Sequence, residues 1–271
     1  MITPNNHMKA RRIAFAVDKG GVGKTTVAIN TAAGLASRGY RVLAVDSDQQ
    51  ANLTTTFLGR IPKKTLLDSL LDPTIPLERI KIKENLDLVP ATHGMFGIGI
   101  RLISDMLSSR HITPENDCRF ILRRLFQPLT SEYDFILIDC PPSDNIMMMN
   151  ALYAADYILI VANPEPFCVE GVQNYILMMK TVRKSVNLSL TLAGILINDY
   201  ETGSIGHSKA EAALRQLAHK YVFETRIRHS RPLYNAILAH QDIFSYASDS
   251  IGAQDYAKYI DELIIRIKQY E

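Results

Sequence analysis

The apolar run Ile13-Ala14-Phe15-Ala16-Val17 leads directly into Lys19-Gly20-Gly21-Val22-Gly23-Lys24-Thr25-Thr26, and an amphipathic stretch beginning at Val27 follows. A strand, a glycine-rich loop and a helix start in this order form a phosphate cradle. Gly20, Gly21 and Gly23 let the backbone curl so that successive N–H groups converge on one anion. Val22 and Thr26 complete the loop. Lys24 is placed to reach the β- and γ-phosphates, and the Thr25 hydroxyl to meet Mg²⁺. The helix beyond turns its positive end toward the same anion. The common pattern G-x-x-x-x-G-K-[ST] fails here at one position, where Asp18 replaces the first glycine, and Lys19 adds a second cation.

The rest of the chain repeats the alternation of strand and helix. The strands predicted are Arg12–Val17, Val42–Val45, Leu86–Val89, Phe135–Ile138, Tyr157–Val161 and Thr191–Ile197. Several are apolar throughout, as strands covered on both faces of a parallel sheet must be. Helical patterns lie between them, including Val27–Ser37, Val169–Lys184 and Lys209–His219. The fold expected is α/β, a doubly wound, mostly parallel sheet with helices on both faces. The 271 residues suit one domain, 1–271, with 1–10 a flexible N-terminal segment. With about ten residues ahead of the first predicted strand, no N-terminal helix-turn-helix domain is expected. A net charge of +2 supplies no global attraction for nucleic acid, so any such binding needs a local patch. Cys118, Cys140 and Cys168 are widely spaced, which argues against a zinc site or a disulfide framework. No apolar run approaches the roughly 20 residues of a membrane span, and a cytoplasmic location is expected.

Two further segments point at the same ligand. Val42–Val45 ends in Asp46-Ser47-Asp48, and Phe135–Ile138 ends in Asp139, followed by Cys140-Pro141-Pro142. Carboxylates at the carboxyl ends of such strands face the ligand crevice. Asp48 is suited to orienting or deprotonating a water for attack on the γ-phosphate. Asp46 is suited to organising Lys24 and the metal shell, and Asp139 to a metal contact.

Lys19–Thr26, Val42–Asp48 and Ile138–Ser143 resemble the deviant Walker A, A′ and B motifs of the ParA/MinD ATPases. Asn150–Asp156, Asn163–Gly171 and Asp249–Tyr256 resemble the ParA/Soj branch in particular. The resemblance covers nearly the whole chain and implies an ATP- and Mg²⁺-dependent ATPase working as a switch. It implies a homodimer that sandwiches ATP, with Lys19 reaching the partner's phosphates as an arginine finger does. It further implies non-specific DNA binding by that dimer, nucleoid association, and release when a ParB-type centromere-binding partner stimulates slow hydrolysis. The cargo would be a plasmid or a chromosome origin.

Departures and local charge refine this picture. Gln49 stands where the family usually has proline, Ala51 where it has glycine, and Asp18 where glutamine or glycine is common. The loop Asn198–Gly203 is acidic and lacks the arginine often found there. Between Ile205 and Arg231 six Lys/Arg oppose two glutamates, an excess of four positive charges. Within that stretch Arg226, Arg228 and Arg231 are the DNA contacts expected. Asn198 and Pro232 are the expected neighbours of adenine, and Glu165 a contact to nucleotide or partner. The alternative reading is a MinD-like membrane-associated positioning ATPase. It requires a basic amphipathic C-terminus, whereas Ile260, Leu263, Ile264 and Ile267 read as packing onto the domain.

Overall fold

The computed structural model describes residues 9–16, 21–109, 111–113, 116–142 and 146–270. Among these, seven strands form one sheet: β1 (Arg11–Ala16), β2 (Val42–Asp46), β3 (Ile80–Lys83), β4 (Leu86–Val89), β5 (Phe135–Asp139), β6 (Tyr157–Ala162) and β7 (Thr191–Ile197). Their order is β3-β4-β2-β5-β1-β6-β7, and every pairing except β3–β4 is parallel. This is the doubly wound sheet expected. The helices are α1 (Lys24–Ala36), α2 (Asn52–Leu58), α3 (Leu66–Leu71), α4 (Ile98–Leu107), α5 (Ile121–Phe126) and α6 (Ile146–Ala154). They continue with α7 (Cys168–Ser185), α8 (Ile205–Ala218), α9 (Arg231–Leu238), α10 (Ile243–Tyr246) and α11 (Ile251–Lys268).

The continuous apolar strands follow from burial on both faces. Along β1, Ile13 and Phe15 enter one core while Ala14 and Ala16 enter the other. Side chains of a strand alternate, so a strand covered on both sides has no polar face to show. One core packs the sheet against α1 and α11, where Ile260, Leu263 and Ile267 are fully buried. The other packs it against α4 to α7, with Met147 and Met148 buried in α6. Gly34 lets α1 and α11 approach closely, because a Cβ there would collide with the Ile260 side chain.

β3 escaped the sequence reading. It is a four-residue, half-buried edge strand, Ile-Lys-Ile-Lys, antiparallel to β4. Its lysines blunt an otherwise open sheet edge. The helix expected from Val27 begins three residues earlier, at Lys24, because Gly23 in the left-handed region ends the loop there. β1, β2 and β5 are neighbours in the sheet order and end side by side. Their carboxyl ends therefore place three loops around one crevice.

Candidate functional site: a phosphate loop and three strand-end carboxylates

Gly21 (φ 88°) and Gly23 (φ 83°) hold left-handed conformations, which side chains bearing a Cβ adopt only with strain. Among the described residues no side chain caps the start of α1, so its first N–H groups are left to an anion. Val17, Asp18, Lys19 and Gly20 lie outside the described residues, as does Ser143 of the third motif. Val22 and Gly23 are instead held from across the crevice. The Asn198 side-chain amide, just past β7, donates to the Val22 carbonyl at 2.8 Å. A Cβ on Gly23 would stand 2.5 Å from that same nitrogen. Asn198 thus clamps the loop from the position where the sequence reading placed an adenine contact.

Lys24 is buried and meets Asp139 at 2.5 Å and Asp48 at 4.0 Å. Burial opposes its charge, but Asp139 more than offsets this, and the ammonium pKa is raised. The second Asp139 oxygen accepts the Thr25 hydroxyl at 2.8 Å. One carboxylate therefore joins the loop lysine to the loop threonine. Two oxygen donors side by side suit a hard divalent cation that also binds phosphate. Among the described residues no cluster of three or more His, Cys, Asp or Glu forms a metal site.

Asp46 and Asp139 are register partners on β2 and β5. Asp46 is wholly buried, and its oxygens are engaged by the Thr54 N–H (2.8 Å), the Thr54 hydroxyl (2.7 Å) and the Asp48 N–H (3.2 Å). Burial, then the Asp139 charge, pushes its pKa up to about 7. Asp46 is thus a brace between β2 and α2, a role carried by Thr54, which the sequence did not signal. Asp48 accepts the Gln50 N–H at 3.0 Å and faces the crevice, with its pKa raised by burial. Ala51 adopts φ 52° where the family has glycine. The Cys140 thiol is buried and its pKa pushed up, so it stays protonated and unreactive.

The crevice is a cleft of about 830 Å³ lined by Gly21–Thr26, Asp48, Gln50, Asn52, Thr55, Thr56 and Pro142, and closed by Tyr234, Ile237 and His240. A second hollow of about 300 Å³ continues past Gly23 and Thr26. Its walls include Asn198, Asp199, His229, Ser230, Leu233 and Tyr234. Its apolar and aromatic side suits a nucleobase. Pro232 sits in the first turn of α9, and its neighbours Leu233 and Tyr234 line the hollow in its place. Glu165 takes a hydrogen bond from the Asn163 amide at 3.3 Å.

The predicted arginines differ from one another. Arg226 pairs with Glu211 at 2.8 Å and lies over the Tyr200 ring. Arg228 grips Asp255 through two nitrogens at 2.8 and 2.6 Å. Arg231, exposed at the start of α9, has no ion pair among the described residues. Two of the three positive charges are therefore partly neutralised within the chain.

Sheet order and site together define a P-loop nucleotide-binding protein, with the loop after β1, the carboxylates after β2 and β5, and a hollow beside β7. Residues 10–192 match the family described as AAA domain (AAA_31). The chain is 33% identical to the chromosome-partitioning ATPase Soj of Thermus thermophilus over 262 residues, 96% of this chain and 98% of that protein. It is 32% identical to the chromosome partitioning protein ParA of Myxococcus xanthus, covering 94% and 88%. Its fold matches that of a substituted Cyanothece McdA in complex with ATP, with a TM-score of 0.82 and 21% identity over 97% of this chain and 98% of that one. MinD of Pyrococcus horikoshii with Mg-ADP matches at a TM-score of 0.76 and 24% identity, covering 97% and 99%. The chain belongs to the ParA/Soj-type partitioning ATPases of the ParA/MinD superfamily.

Proposed function

We propose that this protein is an ATP-driven DNA-partitioning switch. The observation that carries the reading is the buried Lys24–Asp139–Thr25 constellation at the uncapped start of α1. Lys24 and the α1 N–H groups hold the phosphates, and Gly20 to Thr26 wrap them. Thr25 and Asp139 would hold Mg²⁺, with Asp46 bracing β2 beside them, and the ion would supply charge neutralisation at the phosphate oxygens. Asp48 faces the cleft beside Lys24 and orients the attacking water. Leu233 and Tyr234 cover the base, and Asn198 keeps the loop in its binding shape.

Two copies then close face to face, and Lys19 of each supplies a cation to the other's triphosphate. The dimer binds DNA without sequence preference through Arg231, with Arg226 and Arg228 extending the patch. A ParB-type partner accelerates hydrolysis and release. Support comes from the Soj and ParA relatives over nearly the whole chain. The membrane-positioning alternative lacks such an observation. The apolar face of α11 is spent on the core, and among the described residues no helix is long and apolar enough to cross a membrane.

The test is retention of the purified protein on non-specific DNA with ATP, ADP and no nucleotide. Retention with ATP alone is expected, and equal retention in all three conditions would refute a nucleotide switch.

A further inference from the structure

The turn that follows α9 holds a side chain in an unfavourable backbone state. His240 has φ 56°, at a helix end where glycine or asparagine normally sits. The turn around it is fixed on several sides. The Gln241 N–H returns to the Ala236 carbonyl at 3.0 Å. Asp242 pairs with Lys83 at 2.7 Å, and the Ile243 N–H donates to the Asn30 side chain at 2.8 Å. Asn30 lies in α1, so the turn is tied to the helix that leaves the phosphate loop.

What the imidazole adds, and glycine would not, is one donor. Nδ1–H of His240 donates to the Thr55 carbonyl at 2.9 Å. Thr55 is in α2, and its neighbour Thr54 holds both the Asp46 carboxylate and, through its hydroxyl, the Ala91 N–H at 2.8 Å. α2 leaves the Asp46–Asp48 loop by way of Ala51, itself left-handed. Its first turn is anchored by Asp46, and a carbonyl of that same short helix is anchored by His240. Both His240 and Thr55 line the cleft that holds Lys24.

We propose that His240 is a positioning residue, a latch that joins the base-side wall (α9) to α2 and thereby holds the Asp46–Asp48 loop in its hydrolytic geometry. The inference rests on the ATP hydrolysis proposed above. Its role is exerted through Thr55 and α2, not by contact with nucleotide.

The test compares wild type, His240→Gly and His240→Asn by steady-state ATP hydrolysis with Mg²⁺ and by thermal melting. His240→Gly removes the donor and relieves the left-handed backbone. These effects on stability oppose each other, so the melting midpoint should stay within about 3 °C of wild type. The loss of one hydrogen bond from the catalytic arrangement should lower kcat about fivefold. KM should stay within about twofold, as expected when only the transition state is affected. Asparagine tolerates the left-handed region and carries an amide donor, so His240→Asn should recover at least half of the lost kcat.

Wild-type kcat in His240→Gly would overturn the latch. So would a raised KM at unchanged kcat, which would mean direct contact with nucleotide. A kcat that falls only in step with the melting midpoint, or is not recovered by asparagine, would reduce His240 to a structural role. Absence of turnover in wild type would instead refute the ATPase reading, and the latch with it.

Discussion

Replacing Asn198 with alanine tests how the phosphate loop is held. The Asn198 amide donates to the Val22 carbonyl at 2.8 Å from a site only 7% exposed. A neutral hydrogen bond of this kind contributes about 1 kcal/mol net, and leaving a buried partner unpaired costs up to about 3 kcal/mol. Val22 is only partly buried, so water can replace the lost donor. The expected loss is therefore at the low end, about 1–1.5 kcal/mol. Without the clamp, Gly21 and Gly23 sample other conformations, and binding must restore their left-handed shape. If most of the loss falls on binding, Kd for ATP rises about 5- to 12-fold. Asn198→Asp should weaken binding further, because a carboxylate cannot donate to Val22 and adds negative charge beside the phosphates. The assay is fluorescent-nucleotide titration with Mg²⁺, with circular dichroism to establish folding. A folded Asn198→Ala protein whose affinity stays within twofold of wild type would refute the clamp.

Lys24→Ala should abolish measurable nucleotide binding in the same titration, because it removes the one described cation inside the loop; retained affinity would displace the phosphate site. Asp46 has a folded pKa of about 7 against an ordinary 3.8. Its folded form therefore keeps a proton that the unfolded chain has released. Stability from this group is full below about pH 4 and is lost as pH rises through 7, with a slope of at most about 1.4 kcal/mol per pH unit. Asp46→Asn should flatten the fall of the melting midpoint between pH 5.5 and 7.5, and parallel profiles for variant and wild type would contradict the raised value. Arg231→Glu should weaken DNA binding and flatten its salt slope by about one contact per protomer without lowering the melting midpoint. Arg228→Glu, which sets a carboxylate against Asp255, should lower that midpoint by itself. The reverse pattern would exchange the two roles.

The parts of the site that were legible in sequence are those that a phosphate reads from contiguous residues. Gly21 to Thr26 must be neighbours in the chain to wrap one anion. Asp46, Asp48 and Asp139 are marked by the apolar strands that end at them. Thr191–Ile197 coincides with its predicted bounds because seven mostly apolar residues have no other solution, and Leu86–Val89 because three of its four residues are apolar and buried. β3 was illegible because four alternating residues carry little signal and its pairing with β4 is a tertiary choice. The sequence marked the region of Pro232 but not which of its neighbours face the hollow beside Gly23, because the packing of α9 decides that. The Arg228–Asp255 pair spans 27 residues, and the His240–Thr55 contact spans 185. Neither leaves a local trace. A charge count could therefore find the basic segment but not which of its arginines already had partners.

The central claim is that ATP joins two copies of this chain. Light scattering of Asp48→Ala, which should bind ATP without hydrolysing it, tests this most directly. With Mg-ATP the mass should be twice that of one chain, and with ADP it should fall to a single chain. A single-chain mass under saturating ATP, with binding confirmed by titration, would contradict the account.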